Sequence, residues 1–172
     1  MKRRMELTLW IVCAAWLLSM NARGAQSASG ADDPYAALKL YDGKWLVMPT
    51  DGPKEGVHLE NHCAKTGLFF ACEQVVNGKS LALIVFTATD DPSKFHSQPV
   101  LPNGQSTGRG DLTIAGDHWS FLGNGKDDSG KETFYRTENF FTGRGKIHFE
   151  QYESADNKTW VKKNEGDEVR LP

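Results

Sequence analysis

Two cysteines, Cys63 and Cys72, bracket a glycine at position 67, and that arrangement limits what the surrounding chain can become. Residues 56–65 and 69–76 are both strand-like. Gly67-Leu68 between them has glycine at the first central position, the signature of a type II′ hairpin turn. A two-residue turn there sets Thr66 opposite Phe69, Ala64 opposite Ala71 and Cys63 opposite Cys72. The cysteines fall on a non-hydrogen-bonded rung, where Cα atoms lie about 4.5 Å apart. That separation suits a disulfide, whose Cα atoms sit about 4.4–6.8 Å apart. Eight residues separate the two cysteines, unlike the C-x-x-C spacing of a redox pair, so the bridge is predicted to be a structural staple. Closing so short a loop stabilises by about 2–3 kcal/mol, and the bond needs an oxidising compartment.

The rest of the chain repeats this pattern. Short β-rich runs cover 44–49, 56–65, 69–76, 79–89, 94–100, 108–115, 118–123, 131–141, 145–153 and 158–170. Turn chemistry separates them: Asn77-Gly78, Asp91-Pro92, Pro102-Asn103-Gly104, Gly116-Asp117 and Asp156-Asn157. The connections are too short for helical crossovers, so sequence neighbours should pair antiparallel. Such a sheet has two long exposed edges unless it closes on itself. The predicted fold is therefore all-β, an up-and-down antiparallel β-barrel of about ten strands. The run 81–88 (LALIVFTA) is apolar on both faces, which predicts a strand covered on both sides. Before the first strand, Asp32-Asp33-Pro34 is a helix start, and residues 35–40 are predicted to form a short helix ended by Gly43.

The barrel is preceded by a leader. Lys2, Arg3 and Arg4 are followed by a 12-residue uncharged apolar run, Leu7 to Leu18, and by Ala22-Arg23-Gly24. This reads as a cleavable signal peptide over 1–24. The apolar run falls short of the about 20 residues that a spanning helix needs. Residues 25–31 (AQSASGA) read as a flexible leader, and 32–172 as the barrel domain. The protein is thus expected to be exported, to the periplasm or the extracellular space, with no membrane span after cleavage. Removing the leader's net +3 from the formal −2 leaves −5. An acidic domain without clustered Lys and Arg is a poor partner for nucleic acid.

Gly43-Lys44-Trp45, after a short helical segment and opening the first strand, resembles the Gly-x-Trp start of lipocalin and calycin barrels. The chain also resembles secreted bacterial proteins of lipocalin-like fold. The resemblance implies that an Arg near the end of the last strand packs over that Trp, which assigns Gly43, Trp45 and Arg170 to closing the barrel. The family's middle Thr-Asp-Tyr motif is missing, and no C-terminal helix follows Arg170. The resemblance further implies a small apolar or amphipathic ligand inside the barrel.

Trp45, Trp119, Phe134, Phe149, Tyr152 and Trp160 supply aromatic surface for such a ligand, and Arg136 offers a forked donor to a ligand carboxylate. The same rings serve equally to fill a solid core, and Arg136 to pair with a nearby Glu. His58, Glu60 and His62 share a strand face, with Glu73 opposite His62. The two histidines are roughly 13 Å apart along the strand, so a hydrated outer face is expected and no metal. Gly104-Gln105-Ser106-Thr107-Gly108 matches the nucleophile-elbow pattern without its strand–turn–helix setting. No nucleophile and base are placed together, and nothing resembles a dinucleotide or phosphate loop. The chain is expected to be no enzyme and to need no cofactor. Two readings of function remain. One is a carrier or sensor for a small hydrophobic ligand. The other is a solid-cored, non-catalytic module that binds the envelope or a protein partner through mouth loops such as 101–109 and 123–131.

Overall fold

The computed structural model describes residues 33–52, 56–106, 108–126 and 130–172. The predicted signal peptide and the leader at 25–31 lie outside the described residues. Asp33 Oδ1 accepts the Tyr35 backbone N–H at 3.1 Å, and a 3₁₀ helix follows over Ala36–Leu40. Ten strands come next: β1 Gly43–Pro49, β2 Leu59–Thr66, β3 Phe69–Val76, β4 Lys79–Ala88, β5 Lys94–Val100, β6 Gly110–Ala115, β7 His118–Lys126, β8 Glu132–Phe141, β9 Lys146–Ser154 and β10 Val161–Arg170.

Each strand pairs antiparallel with its sequence neighbours, and β1 pairs with β10 to close the barrel. The β2–β3 hairpin has the predicted register, with Cys63 opposite Cys72 and His62 opposite Glu73. Gly67 has φ +59° and Leu68 stays out of the left-handed region, the type II′ combination. Cys63 and Cys72 are joined, with Cα atoms 4.0 Å apart. Both are buried against the core. A disulfide of this kind belongs to a non-reducing compartment. No helix among the described residues is long and apolar enough to cross a membrane.

Alternation along each strand sorts side chains into an inner and an outer set. The inner set fills one end of the barrel solidly. Leu38 from the 3₁₀ helix, fully buried, packs with Trp45, Trp119, Phe141, Ile147, Leu112 and Phe95. Tyr41 meets Trp119 edge-on at 5.8 Å and Phe141 at 6.1 Å, and its carbonyl accepts the Trp45 indole N–H at 2.9 Å. The 3₁₀ helix thus stoppers this end. Fully burying rings and leucines of this size stabilises by about 1.5–3 kcal/mol each.

One expectation is overturned. β4 is not covered on its outer side: Leu81 and Leu83 are 49% and 42% exposed. A sheet that curls back on itself has a second layer only across its own interior. Outward side chains of β4 therefore face solvent, while Ala82, Ile84 and Phe86 turn inward and are buried or partly so. A register shift between Gln74 and Val75 locates a bulge near Leu81, and bulges let a strand bend around a barrel.

Candidate functional site

The other end of the barrel holds a cavity of about 560 Å³, within the usual range of small-molecule sites. Its existence follows from residue sizes. Gly108 just before β6, Gly110 in β6, and Gly123 and Gly125 in β7 line it, so backbone forms the wall where side chains would otherwise meet. Gly110 is required for a second reason. A Cβ there would lie 2.7 Å from the Leu122 carbonyl oxygen and 3.1 Å from Ser97 Oγ, so β6 and β7 could not approach as they do. Apolar side chains complete the walls: Val47, Leu59, Ile84, Phe86, Phe121 and Phe149. Tyr135, Thr137, Gln74, Gln151 and Asn164 add polar groups toward the mouth.

The floor is polar and buried. Glu168 on β10 is 5% exposed. Its carboxylate accepts the Tyr41 hydroxyl at 2.8 Å and the Asn61 amide N–H at 3.1 Å. Asn61 Nδ2 also donates to the Tyr41 hydroxyl at 3.2 Å. Burial pushes the Glu168 carboxyl above its ordinary range, and the bonds from Asn61 and Tyr41 only partly oppose this. Burial, with the adjacent Glu168 charge, holds the Tyr41 hydroxyl well above the ordinary phenol range, so it keeps its proton and donates. Asn61 Oδ1 and Asn139 Oδ1 are buried with no hydrogen-bond partner among the described residues. Both asparagines border the cavity. Leaving such groups unpaired costs about 1–3 kcal/mol apiece.

The aromatic residues singled out from sequence fall in three places. Phe149 lines the cavity. Trp45 and Trp119 lie below it, in the solid end. Phe134, Arg136 and Tyr152 are outside: Tyr135, Thr137 and Asn139 line the cavity, so alternation turns Phe134, Arg136 and its cross-strand partner Tyr152 outward. Arg136 is held between the Tyr152 ring at 4.8 Å and the Trp160 ring at 4.5 Å, and pairs with Glu138 at 3.1 Å. Arg136, Tyr152 and Trp160 form an outer cation–π stack in place of the inner contacts expected for them, with Phe134 on the same outer face. Near the mouth the usual pattern is inverted: polar residues face the cavity and rings pack on the outside of the wall.

Arg170 lies with its guanidinium 4.5 Å from the Trp45 ring. It donates to the Leu40 and Arg144 carbonyls at 2.9 and 3.0 Å. A side chain at Gly43, where φ is +122°, would meet Arg170 Nη1 at 2.9 Å. These three residues fasten β1, β10 and the 3₁₀ helix together.

On the outer face of β2, Glu60 accepts from His58 and His62, each at 2.6 Å, and those two bonds hold its carboxyl below the ordinary range. One group among the described residues, His148, Glu150 and Glu165, brings three ligand-type atoms within 4.8 Å of each other. Lys162 Nζ already bonds both carboxylates there, so a cation is provided by the chain itself.

No family model and no curated protein matches the chain. Among solved structures it is similar to EF1p2_mFAP2b bound to DFHBI, with 13% identity over 80% of this chain and 98% of that one, at a TM-score of 0.36. It is also similar to a redesigned beta barrel, with 14% identity over 77% of this chain and 93% of that one, at a TM-score of 0.34.

Proposed function

We propose that the protein is an exported, non-catalytic carrier or sensor of lipocalin-like architecture that holds one small amphipathic molecule in its cavity. The observation that carries this reading is the cavity itself: apolar walls above a buried polar floor, inside a frame closed at its other end. Sites that bind small molecules have this composition, mostly apolar with a few placed polar groups. The stacking of Arg170 on Trp45 beside Gly43 supports the lipocalin-like assignment. The signal-like leader and the buried disulfide support export to the periplasm or the extracellular space. The cavity argues against a solid-cored interaction module.

Gly123→Leu tests the reading. A Cβ at Gly123 meets only the Gly110 Cα, at 3.9 Å, so leucine enters the cavity without disturbing the wall. Titrating the oxidised protein with a hydrophobic fluorescent probe such as ANS should give one saturable site per chain. Gly123→Leu should weaken that site at least about tenfold while leaving the melting temperature unchanged, because leucine takes the probe's volume. Absence of saturable binding, or equal binding by the variant, would remove the basis of the proposal.

A further inference from the structure

The polar floor specifies more than the presence of a ligand. We infer that the cavity selects molecules whose polar end donates hydrogen bonds, above all a protonated amine on an apolar body. This rests on the binding reading above and narrows it to a chemical class.

The argument is an account of donors and acceptors. Tyr41 has one hydroxyl proton, and it is directed at Glu168. Asn61 Nδ2 is directed at Glu168 and at the Tyr41 oxygen. The Asn61 amide presents its nitrogen to Glu168, which leaves Oδ1 as its other face. That oxygen has no partner among the described residues, and neither has Asn139 Oδ1, four strands away around the wall. The capacity left at the floor is therefore mostly acceptor capacity: two amide oxygens and the remaining lone pairs of a carboxylate, beside one uncommitted amide donor on Asn139. The donors on Tyr41 and Asn61 are already committed.

Charge points the same way. The titratable groups that line the cavity are Tyr41, Glu168, Tyr135 and Lys126. Lys126 is the last residue of β7, at the mouth, so Glu168 is the only ionisable carboxyl among the lining residues. An ammonium group at the floor gains a charge-assisted bond where water is excluded. A ligand carboxylate placed there meets a second anion and two carbonyl oxygens, and either it or Glu168 must take up a proton. The volume above the floor, about 560 Å³, leaves room for an apolar body of medium chain length.

The test is calorimetric titration of the oxidised protein at neutral pH with decylamine, decanol and decanoic acid, which share one chain and differ at the head. Decylamine should bind one per chain and at least about tenfold more tightly than decanoic acid, the size expected of one buried charge-assisted bond. Decanol should fall between them. Glu168→Gln should weaken decylamine about tenfold and leave decanol within about twofold. Asn139→Val removes one acceptor without touching the bonds to Glu168, and should weaken decylamine about threefold. The wild-type ratio of amine to acid needs no variant at all. If decanol binds but the acid matches or exceeds the amine, or if the preference survives Glu168→Gln, the donor-selective site is refuted while the binding reading stands. If none of the three ligands binds, both are refuted.

Discussion

Reducing the Cys63–Cys72 bond should destabilise the protein by an amount that its place in the chain determines. The bridge closes a loop with a sequence separation of 9. The chain-entropy relation for such a loop gives about 2.6 kcal/mol at room temperature. The barrel unit runs from Asp33 to Pro172. A domain of that size has an unfolding entropy near 0.3 kcal/mol/K, so the loss should lower the melting temperature by about 9 °C. Both sulfurs are buried and face the core, so the reduced thiols must also find room to separate, which adds to the loss. The assay is thermal unfolding by circular dichroism with and without reductant, together with a Cys63→Ser/Cys72→Ser variant that reductant cannot affect further. A reduced protein that melts within about 2 °C of the oxidised one would refute the reasoning, since the cross-link would then constrain nothing that the turn does not already hold.

Two further perturbations follow from the ends of the barrel. Glu168 has a folded-state pKa raised by burial, so its contribution to stability is fully present below the ordinary carboxylate range and is lost as pH rises through the raised value. Each unit of displacement corresponds to about 1.4 kcal/mol. Glu168→Gln should therefore flatten the fall in stability above about pH 4.5, measured as urea midpoints across a pH series; an unchanged slope would contradict the burial argument. At the other end, Arg170→Ala removes two bonds to backbone carbonyls and the contact over Trp45. Because the side chain is exposed, the cost should be only about 1–2 kcal/mol. Trp45 emission should shift, and Arg170→Lys should recover little because lysine lacks the planar fork.

Much of the frame was legible because local chemistry and global closure agree. Gly67 states a turn type, the turn states a register, and the register sets Cys63 against Cys72. Asn77-Gly78, both at positive φ, does the same for the β3–β4 turn. Fewer of the site residues were readable. Asn61 shares the face of Cys63 two residues on, so its inward position follows from the hairpin alone, yet nothing local shows that Tyr41 and Glu168 would meet it. Those contacts span 20 and 107 residues, and the one to Glu168 exists only once β1 joins β10. Phe134, Arg136 and Tyr152 misled for a physical reason. Rings usually mark the buried face of a strand, but here the inner face of β8 carries Thr133, Tyr135, Thr137 and Asn139, and Arg136 holds the Tyr152 and Trp160 rings on the outside. Nothing local marks Gly110, Gly123 and Gly125 as cavity-forming, because the space they leave exists only once β6 and β7 face the rest of the barrel.

The seam between β1 and β10 also has a temporal meaning. Every other hairpin can zip as it emerges, since its two halves are adjacent in the polypeptide. The seam joins Trp45 to Arg170, so the earliest strand can meet the latest only when nearly the whole chain is present. Until then the N–H and C=O groups on its β10-facing edge stay unclaimed, open to any stray edge. Glu168 arrives within that same final stretch, which means the vessel acquires its chemical floor and its last stave in one event.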